Sequence, residues 1–208
     1  MKVEVNPVNR GHLFPVRRVE LCAAAQDAFG RFMVVPVLSV AELHAGKLVA
    51  ALDRQHPRDL FDARHILHRL DTEAGATDLA DLQLAMLAML LSSGRPPQEL
   101  LAPRAQNRAA AYAGQFAGMT REQFGLADHV ATFDRLVAAL PRLLPEHHRV
   151  AMLTAFAKNA AQPALPERVA ILPAVAWKFR NLQRLRDENA GAHAEQVNRL
   201  RACLHQMG

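Results

Sequence analysis

The chain of 208 residues contains little cysteine and few aromatic side chains, and both absences narrow the classes of protein it can belong to. Its two cysteines, Cys22 and Cys203, lie far apart and outside the spacings of zinc sites, which predicts free thiols in a reducing cytoplasm. Aromatic residues make up 5% of the chain, so the aromatic and β-branched enrichment of an all-β fold is missing. Abundant alanine and leucine indicate packed helices instead.

A long hydrophobic run is also missing. The longest apolar run, "LQLAMLAMLL" at 82–91, is shorter than the roughly 20 residues that a membrane-spanning helix needs, and it predicts a buried helix. The opening stretch, "MKVEVNPVNR", lacks the apolar region of a signal peptide. We therefore expect a soluble, cytoplasmic protein that does not bind membranes.

The chain is basic, with a net charge of +5 and a pI of about 9.9. A positive charge attracts polyanions, which favours an RNA or nucleotide partner, although ordinary solubilising surface charge has the same signature. Half of the residues are hydrophobic, which is enough for one large domain or two small ones.

Strand patterns occur only near the N-terminus. "KVEVN" at 2–6 alternates apolar and polar residues and ends at Pro7, while "RFMVVPVLS" at 31–39 predicts a second strand, which Pro36 confines to an edge or a bulge. Between them, 18–29 fits a short helix or an irregular segment. The predicted fold class is α+β and mostly α, with two N-terminal strands followed by a helical bundle.

Nearly all of the chain after Ser39 has a helical pattern. "SVAE" is a capping box in which Ser39 accepts from the Glu42 N–H and the Glu42 carboxylate returns to the Ser39 N–H. This helix runs to about Gln55, and Pro57 stands where a first-turn proline begins the next helix. Further helices are predicted, with prolines separating the later ones, at 78–93, 98–112, 120–140, 146–160 and 167–188.

The stretch "KLVAALDRQHPRDLFDARHIL" at 47–67 interrupts this apolar pattern with many charges. Lys47 and Arg54 share one helix face, and Asp59 and Asp62 can project to one side of the next helix, where Arg58 is placed to pair with Asp62. A solvated face held by ion pairs explains the pattern. On spacing alone this explanation is preferred to the alternative, a site in which cations meet phosphates while carboxylates orient them, take a proton or bind Mg²⁺.

The C-terminal region contains the only tryptophan. In "AVAWKFRNL", apolar residues recur at helical spacing, so Trp177 is predicted to anchor the core or an inter-domain contact. Lys178, Arg180, Arg184 and Arg186 then form a basic face, which either grips RNA or is simply solvated.

The charged stretch and its surroundings resemble a known family. "SVAELHAGKLVAALDRQHPRDLFDARHIL" is similar to the S-xx-E…K-xx-A-xxx-R-xxx-RD-xx-D signature of the AbiEii/AbiGii toxins, nucleotidyltransferase-like proteins of type IV toxin–antitoxin and abortive-infection systems. "KVEVN" resembles the family's lysine-then-acid strand, "GQFAGMTREQ" a middle segment, and "LPAVAWKFRNLQRL" a C-terminal W-K-x-x-N-L helix. The resemblance extends, in order, over residues 2–186.

The resemblance implies a nucleotidyltransferase α/β part, here residues 1–70, followed by a helical domain, residues 71–208. It implies an enzyme that uses Mg²⁺ and transfers a nucleoside monophosphate from an NTP to an RNA such as tRNA, with an antitoxin as partner. The residues that match the family's motif are Lys47, Asp62 and Asp59 as catalytic residues, Lys47, Arg54 and Arg58 as nucleotide-binding residues, and Glu4 as a metal-binding acid.

One part of the family's pattern is not found. The leading Gly-Ser or Gly-Gly-Thr loop with its D-x-D strand should precede "KVEVN", and in this fold those acids hold the metal. The resemblance therefore implies a truncated enzyme of impaired activity, through a late start or as a remnant, unless a second chain supplies the motif. The alternative is a non-catalytic helical module that binds an antitoxin or RNA.

Overall fold

A computed structural model describes residues 11–72 and 79–207 and shows a small sheet beside a helical bundle. Strand β1 (Arg17–Glu20) pairs antiparallel with β2 (Val34–Val37), and the short helix α1 (Ala23–Phe29) connects them. The bundle that follows consists of α2 (Val40–Arg54), α3 (Pro57–Thr72), α4 (Leu79–Ser92), α5 (Pro97–Leu101), α6 (Ala109–Gln115), α7 (Leu126–Leu143), α8 (Glu146–Lys158), α9 (Glu167–Ala170), α10 (Pro173–Glu188) and α11 (Ala190–His205). The predicted class, α+β and mostly α, is confirmed.

The sheet differs in part from its prediction. The second strand lies within the predicted 31–39, and among the described residues Pro36 is accommodated because it lies in an edge strand of a two-stranded sheet. The first predicted strand, 2–6, lies outside the described residues. The observed partner, β1, reads "RRVE" and is exposed at every position, so it lacks the alternation of apolar and polar residues that reveals a strand in a sequence.

The Ser39 cap is confirmed, but the second half of the predicted capping box is wrong. Ser39 Oγ accepts from the Glu42 N–H at 3.1 Å. The Glu42 carboxylate, which is buried, instead accepts from the N–H of Leu13 at 2.6 Å and of Phe14 at 3.3 Å, and from the Ser39 hydroxyl at 2.9 Å. The carboxylate is drawn to these donors because they are buried and have no water to bond. It thereby ties the segment before β1 to the start of α2.

Several later predictions need correction. The predicted helix 167–188 is divided into α9 and α10, and the helix predicted from 120 begins at Leu126. The predicted helix 98–112 is broken into α5 and α6, because the side chain of Gln55 takes the backbone groups of Arg104 and Gln106 in the loop between them. Pro141 does not end α7, which continues to Leu143 because buried leucines on both sides of this exposed proline hold the last turn. Helix α11 was not predicted, although Asn189 caps it by accepting from the Ala192 N–H at 2.9 Å.

Helix α4 forms the centre of the core. Its residues are apolar on all sides, and Leu82, Met86, Leu87, Leu90 and Leu91 are completely buried, as expected of a helix surrounded by others. Helices α2, α7 and α10 pack around it. One continuous cluster of buried side chains extends from Leu13 to Leu204. The division into parts 1–70 and 71–208 stays a prediction.

Among residues 11–72 and 79–207, no helix combines the length and the apolar character that crossing a membrane requires.

Replacing Glu42 tests the tie between the N-terminal segment and α2. Glu42→Ala leaves the buried N–H groups of Leu13 and Phe14 without an acceptor, so the free energy of unfolding should fall by about 2–4 kcal/mol, measured by urea denaturation. Glu42→Gln retains one acceptor oxygen and should lose about half as much. Glu188→Ala, on the exposed end of α10, is the control; an effect of Glu42→Ala no larger than this control would contradict the role.

Candidate functional site

The turn between α2 and α3 sets the geometry of the charged stretch. Gln55 ends α2 in the left-handed region, with φ of 50°, and its side chain is 3% exposed. Its amide donates to the Arg104 carbonyl at 2.7 Å, and its oxygen accepts from the Gln106 N–H at 3.0 Å and from the guanidinium of Arg108. These bonds fix the reversal of the chain, so α3 returns along α2 and the charges of both helices meet on one face.

Lys47 and Asp62 meet across the two helices on this face. Lys47 Nζ lies 2.5 Å from Asp62 Oδ2, and the two side chains are 50% and 39% exposed. The predicted pair Arg58–Asp62 is not formed, because the neighbouring helix brings Lys47 closer to the carboxylate. The exposed guanidinium of Arg58 has no ion pair with any residue that the structure describes. We call Lys47, Arg54, Arg58, Asp59 and Asp62 the α2–α3 face.

A second ion pair extends the face toward the turn. Arg54 Nη2 contacts Asp59 Oδ1 at 2.8 Å; the arginine side chain is 64% exposed and that of Asp59 is 16% exposed. The other carboxylate oxygen of Asp59, Oδ2, is buried and has no hydrogen-bond partner within the described residues. Asp59 is therefore the more desolvated of the two acids.

The electrostatic environment of the face is positive. Burial lowers the pKa of His44, one turn before Lys47 on α2, and the charges of Arg69 and Lys47 lower it further. The imidazole is therefore biased toward its neutral form, first by burial and then by these two cations. A face of this kind attracts phosphate oxygens.

The segment "GQFAGMTREQ", residues 114–123, covers the outer side of α3. The rings of Phe61 and Phe116 lie 5.6 Å apart, and Arg64 pairs with Glu122 at 3.3 Å. His56 Nδ1 accepts from the Arg58 N–H at 3.2 Å, so its Nε2 is the atom that donates to Gln115 Oε1 at 2.8 Å. His56 is thus occupied in holding the segment against the turn.

The described residues do not fit a resident metal site. No group of three or more His, Cys, Asp or Glu side chains within 11–72 and 79–207 is placed to hold a metal ion. Asp59 and Asp62 are each engaged by a cation of the chain itself. Glu4, the predicted metal-binding acid, lies outside the described residues.

A cleft at the C-terminal end of α2 was missed by the sequence analysis. Its volume is about 410 Å³, and it is lined in part by Asp53, Arg95, Arg104 and Arg199. Arg95 Nε binds Asp53 Oδ1 at 2.7 Å, which joins the turn before α5 to α2. Because the arginines come from three separate segments of the chain, the sequence does not show that they lie together. Only Arg95, in "GRPP", and Arg104, in "APR", are near each other in the sequence.

The predicted roles of Trp177 and Lys178 are wrong. Trp177 is 51% exposed and is not a core anchor, because Ala174, Val175 and Phe179 occupy the buried stripe of α10. Lys178 falls on that stripe and does not belong to the basic face. It is 9% exposed and donates from Nζ to the Arg95 carbonyl at 2.8 Å, and burial lowers its pKa to about 8.

The Lys47–Asp62 pair should contribute little to stability, because both side chains are open to solvent. We expect Lys47→Ala and Asp62→Ala each to change the free energy of unfolding by less than about 1 kcal/mol in urea denaturation. Leu60→Ala, which empties a fully buried position on α3, is the comparison and should cost about 2–5 kcal/mol. A loss of comparable size in either charge variant would make the pair a structural element.

Comparison with known proteins identifies a family. A family model described as "Nucleotidyl transferase AbiEii toxin, Type IV TA system" matches residues 1–139. The match includes the α2–α3 face and the segment 114–123, and it ends before the helix that contains Trp177, so the resemblance noted for 172–185 lies beyond it. No curated protein and no solved structure matches the chain.

Proposed function

Because the chain belongs to the AbiEii nucleotidyl transferase toxins of type IV toxin–antitoxin systems, we propose that its α2–α3 face binds the triphosphate of an NTP. A hydroxyl of an RNA such as tRNA then attacks the α-phosphorus, so the nucleoside monophosphate is transferred to the RNA and pyrophosphate leaves. The observation that supports this most is the solvent-open ion pair between Lys47 and Asp62, two residues that resemble the family's motif lysine and late acid.

The cations of the face suit phosphate oxygens. Lys47 and Arg54 are half or more exposed, and each is held by a single carboxylate. Exposed pairs of this kind are weak, so a triphosphate with several oxygens can replace the carboxylate as the partner. Arg58, exposed at the start of α3, needs no exchange of partner before it binds.

The acids then take different roles. When Lys47 moves to a phosphate, Asp62 loses its cation beside the bound nucleotide and becomes available to accept the proton of the attacking hydroxyl. Asp59, which is more buried, keeps Arg54 in position. Lys47 neutralises the charge that develops on the transferred group.

We assign no step to Mg²⁺, because the described residues do not fit a resident metal site. It enters the proposal only as the counter-ion that accompanies the NTP. An antitoxin partner and a cytoplasmic location are proposed on the basis of the family's type IV toxin–antitoxin system.

A second function remains a candidate. The lack of a carboxylate cluster for a metal within 11–72 and 79–207 favours a helical module that binds an antitoxin or RNA without turnover. Such a module uses the cations of the α2–α3 face for binding, and Asp62 does not act as a base.

A transfer assay tests the enzyme. The purified protein is incubated with labelled NTPs, Mg²⁺ and tRNA, and label on the RNA is measured. Lys47→Ala and Asp62→Asn should each lower the transfer rate by about 100-fold, because each removes a charge that acts on the reacting phosphate or hydroxyl. Lys158→Ala, an exposed lysine at the end of α8, is the matched control and should transfer at the wild-type rate.

The same assay separates the two candidates. Wild-type protein that binds RNA but transfers no label supports the non-catalytic module. Transfer that is unchanged in both Lys47→Ala and Asp62→Asn rules out the roles given to the α2–α3 face.

A further inference from the structure

The half-exposed Trp177 lies at a cavity that the α2–α3 face does not include. The cavity measures about 210 Å³ and is formed by α10, α11 and the turn that includes Ser93, Gly94 and Pro96. It is smaller than the roughly 300–1,000 Å³ of pockets that enclose drug-sized ligands, so it suits one planar ring better than an entire nucleotide. We call it the Trp177 cavity.

The polar groups of the Trp177 cavity are free to bind a ligand. Asn181 and Gln196 line it, and neither side-chain amide is hydrogen-bonded within the part of the chain that the structure describes. Each amide offers both a donor and an acceptor, which is the combination that reads the edge of a nucleobase. Lys178, which also lines the cavity, has ammonium donors beyond the one given to Arg95.

Two cations flank the tryptophan on the same helix. Arg180 and Arg184 follow Trp177 by three and seven residues, so they share its side of α10. Both are exposed, and no described residue forms an ion pair with either. An aromatic ring beside unpaired arginines is the arrangement by which proteins bind single-stranded nucleic acid: the ring stacks on a base and the cations meet the backbone.

From these contacts we propose that the Trp177 cavity binds an unstacked nucleobase of single-stranded RNA, with Arg180 and Arg184 on the flanking phosphates. The base stacks on Trp177 and its edge meets Asn181 and Gln196. This inference rests on the proposed function in taking RNA as the acceptor, and it adds a recognition site away from the α2–α3 face.

The position of the cavity connects it with that face. Gly94, in the turn before α5, lines the Trp177 cavity. The next residue, Arg95, lines the cleft of about 410 Å³ at the C-terminal end of α2. The same cleft includes Asp53, the residue before Arg54. An RNA strand that leaves the cavity along the turn therefore meets further guanidinium groups on its way to the end of α2.

Fluorescence reports on the cavity directly, because Trp177 is the only tryptophan. A mixed-sequence single-stranded oligoribonucleotide is titrated into the full chain, and an oligomer with the same phosphates but without bases serves as the comparison. We expect the base-containing RNA to quench the emission and to bind about 10-fold more tightly than the abasic one, since stacking contributes about 1–3 kcal/mol per base.

Substitutions test what the tryptophan and the two arginines each contribute to RNA binding. By anisotropy of labelled RNA, Trp177→Ala should weaken binding about 10-fold and Trp177→Phe less, because phenylalanine keeps an aromatic ring. Arg180→Ala with Arg184→Ala should reduce the slope of log affinity against log salt by about 1.4, as expected for two contacts to single-stranded RNA. Lys158→Ala, the exposed control lysine at the end of α8, should leave the quenching unchanged.

Each contradicting result shows which of the two proposals, the base site or the transfer reaction, is wrong. RNA binding without quenching, and without loss in Trp177→Ala, overturns the cavity as a base site but leaves the transfer reaction standing. Quenching by an apolar peptide and not by RNA indicates a protein partner and also overturns it. A normal response of Trp177 with no label transfer refutes the proposed enzyme and retains the cavity.

Discussion

The candidate site depends on one reversal of the chain, at Gln55. This residue takes a left-handed conformation, and its buried amide binds the loop between α5 and α6, so the angle at which α3 leaves α2 is fixed by hydrogen bonds. The apolar sides of both helices enter the core at Leu52 and Leu60. Their polar sides must then face the same way. Lys47 and Asp62, 15 residues apart in the chain, become partners for this reason.

The face so formed carries one more cation than carboxylates, and its exposed ion pairs open easily. Lys47 and Arg54 are each paired with one carboxylate, which holds their side chains in position in the absence of a ligand. Because the Lys47 pair is open to solvent, its exchange for a phosphate costs little. Asp59 differs, since one of its oxygens is buried and has no partner among the residues that the structure describes. This contrast is the reason for proposing the exchangeable role for Asp62 and the fixed role for Asp59.

The local sequence predicted the helices of the site, and the faces on which its residues lie, better than the contacts between those residues. Pro57 and the Ser39 cap located α2 and α3, and spacing placed Lys47 and Arg54 on one face. The pairing of Asp62 with Lys47, and of Glu42 with the N–H groups of Leu13 and Phe14, depends on tertiary contacts that no local spacing encodes. The prediction for Trp177 failed for a similar reason. Apolar periodicity shows that α10 is amphipathic, but only the tertiary packing decides that the side with Phe179 is buried.

In the proposed site, phosphate and Asp62 compete for Lys47. Calorimetric titration of a non-hydrolysable NTP analogue into wild type and Asp62→Asn measures this competition. Loss of the carboxylate frees the lysine, so Asp62→Asn should bind the analogue about 2–5-fold more tightly than wild type. Equal or weaker binding by Asp62→Asn would rule out the competition, because Lys47 would then not be the group that the triphosphate takes from Asp62.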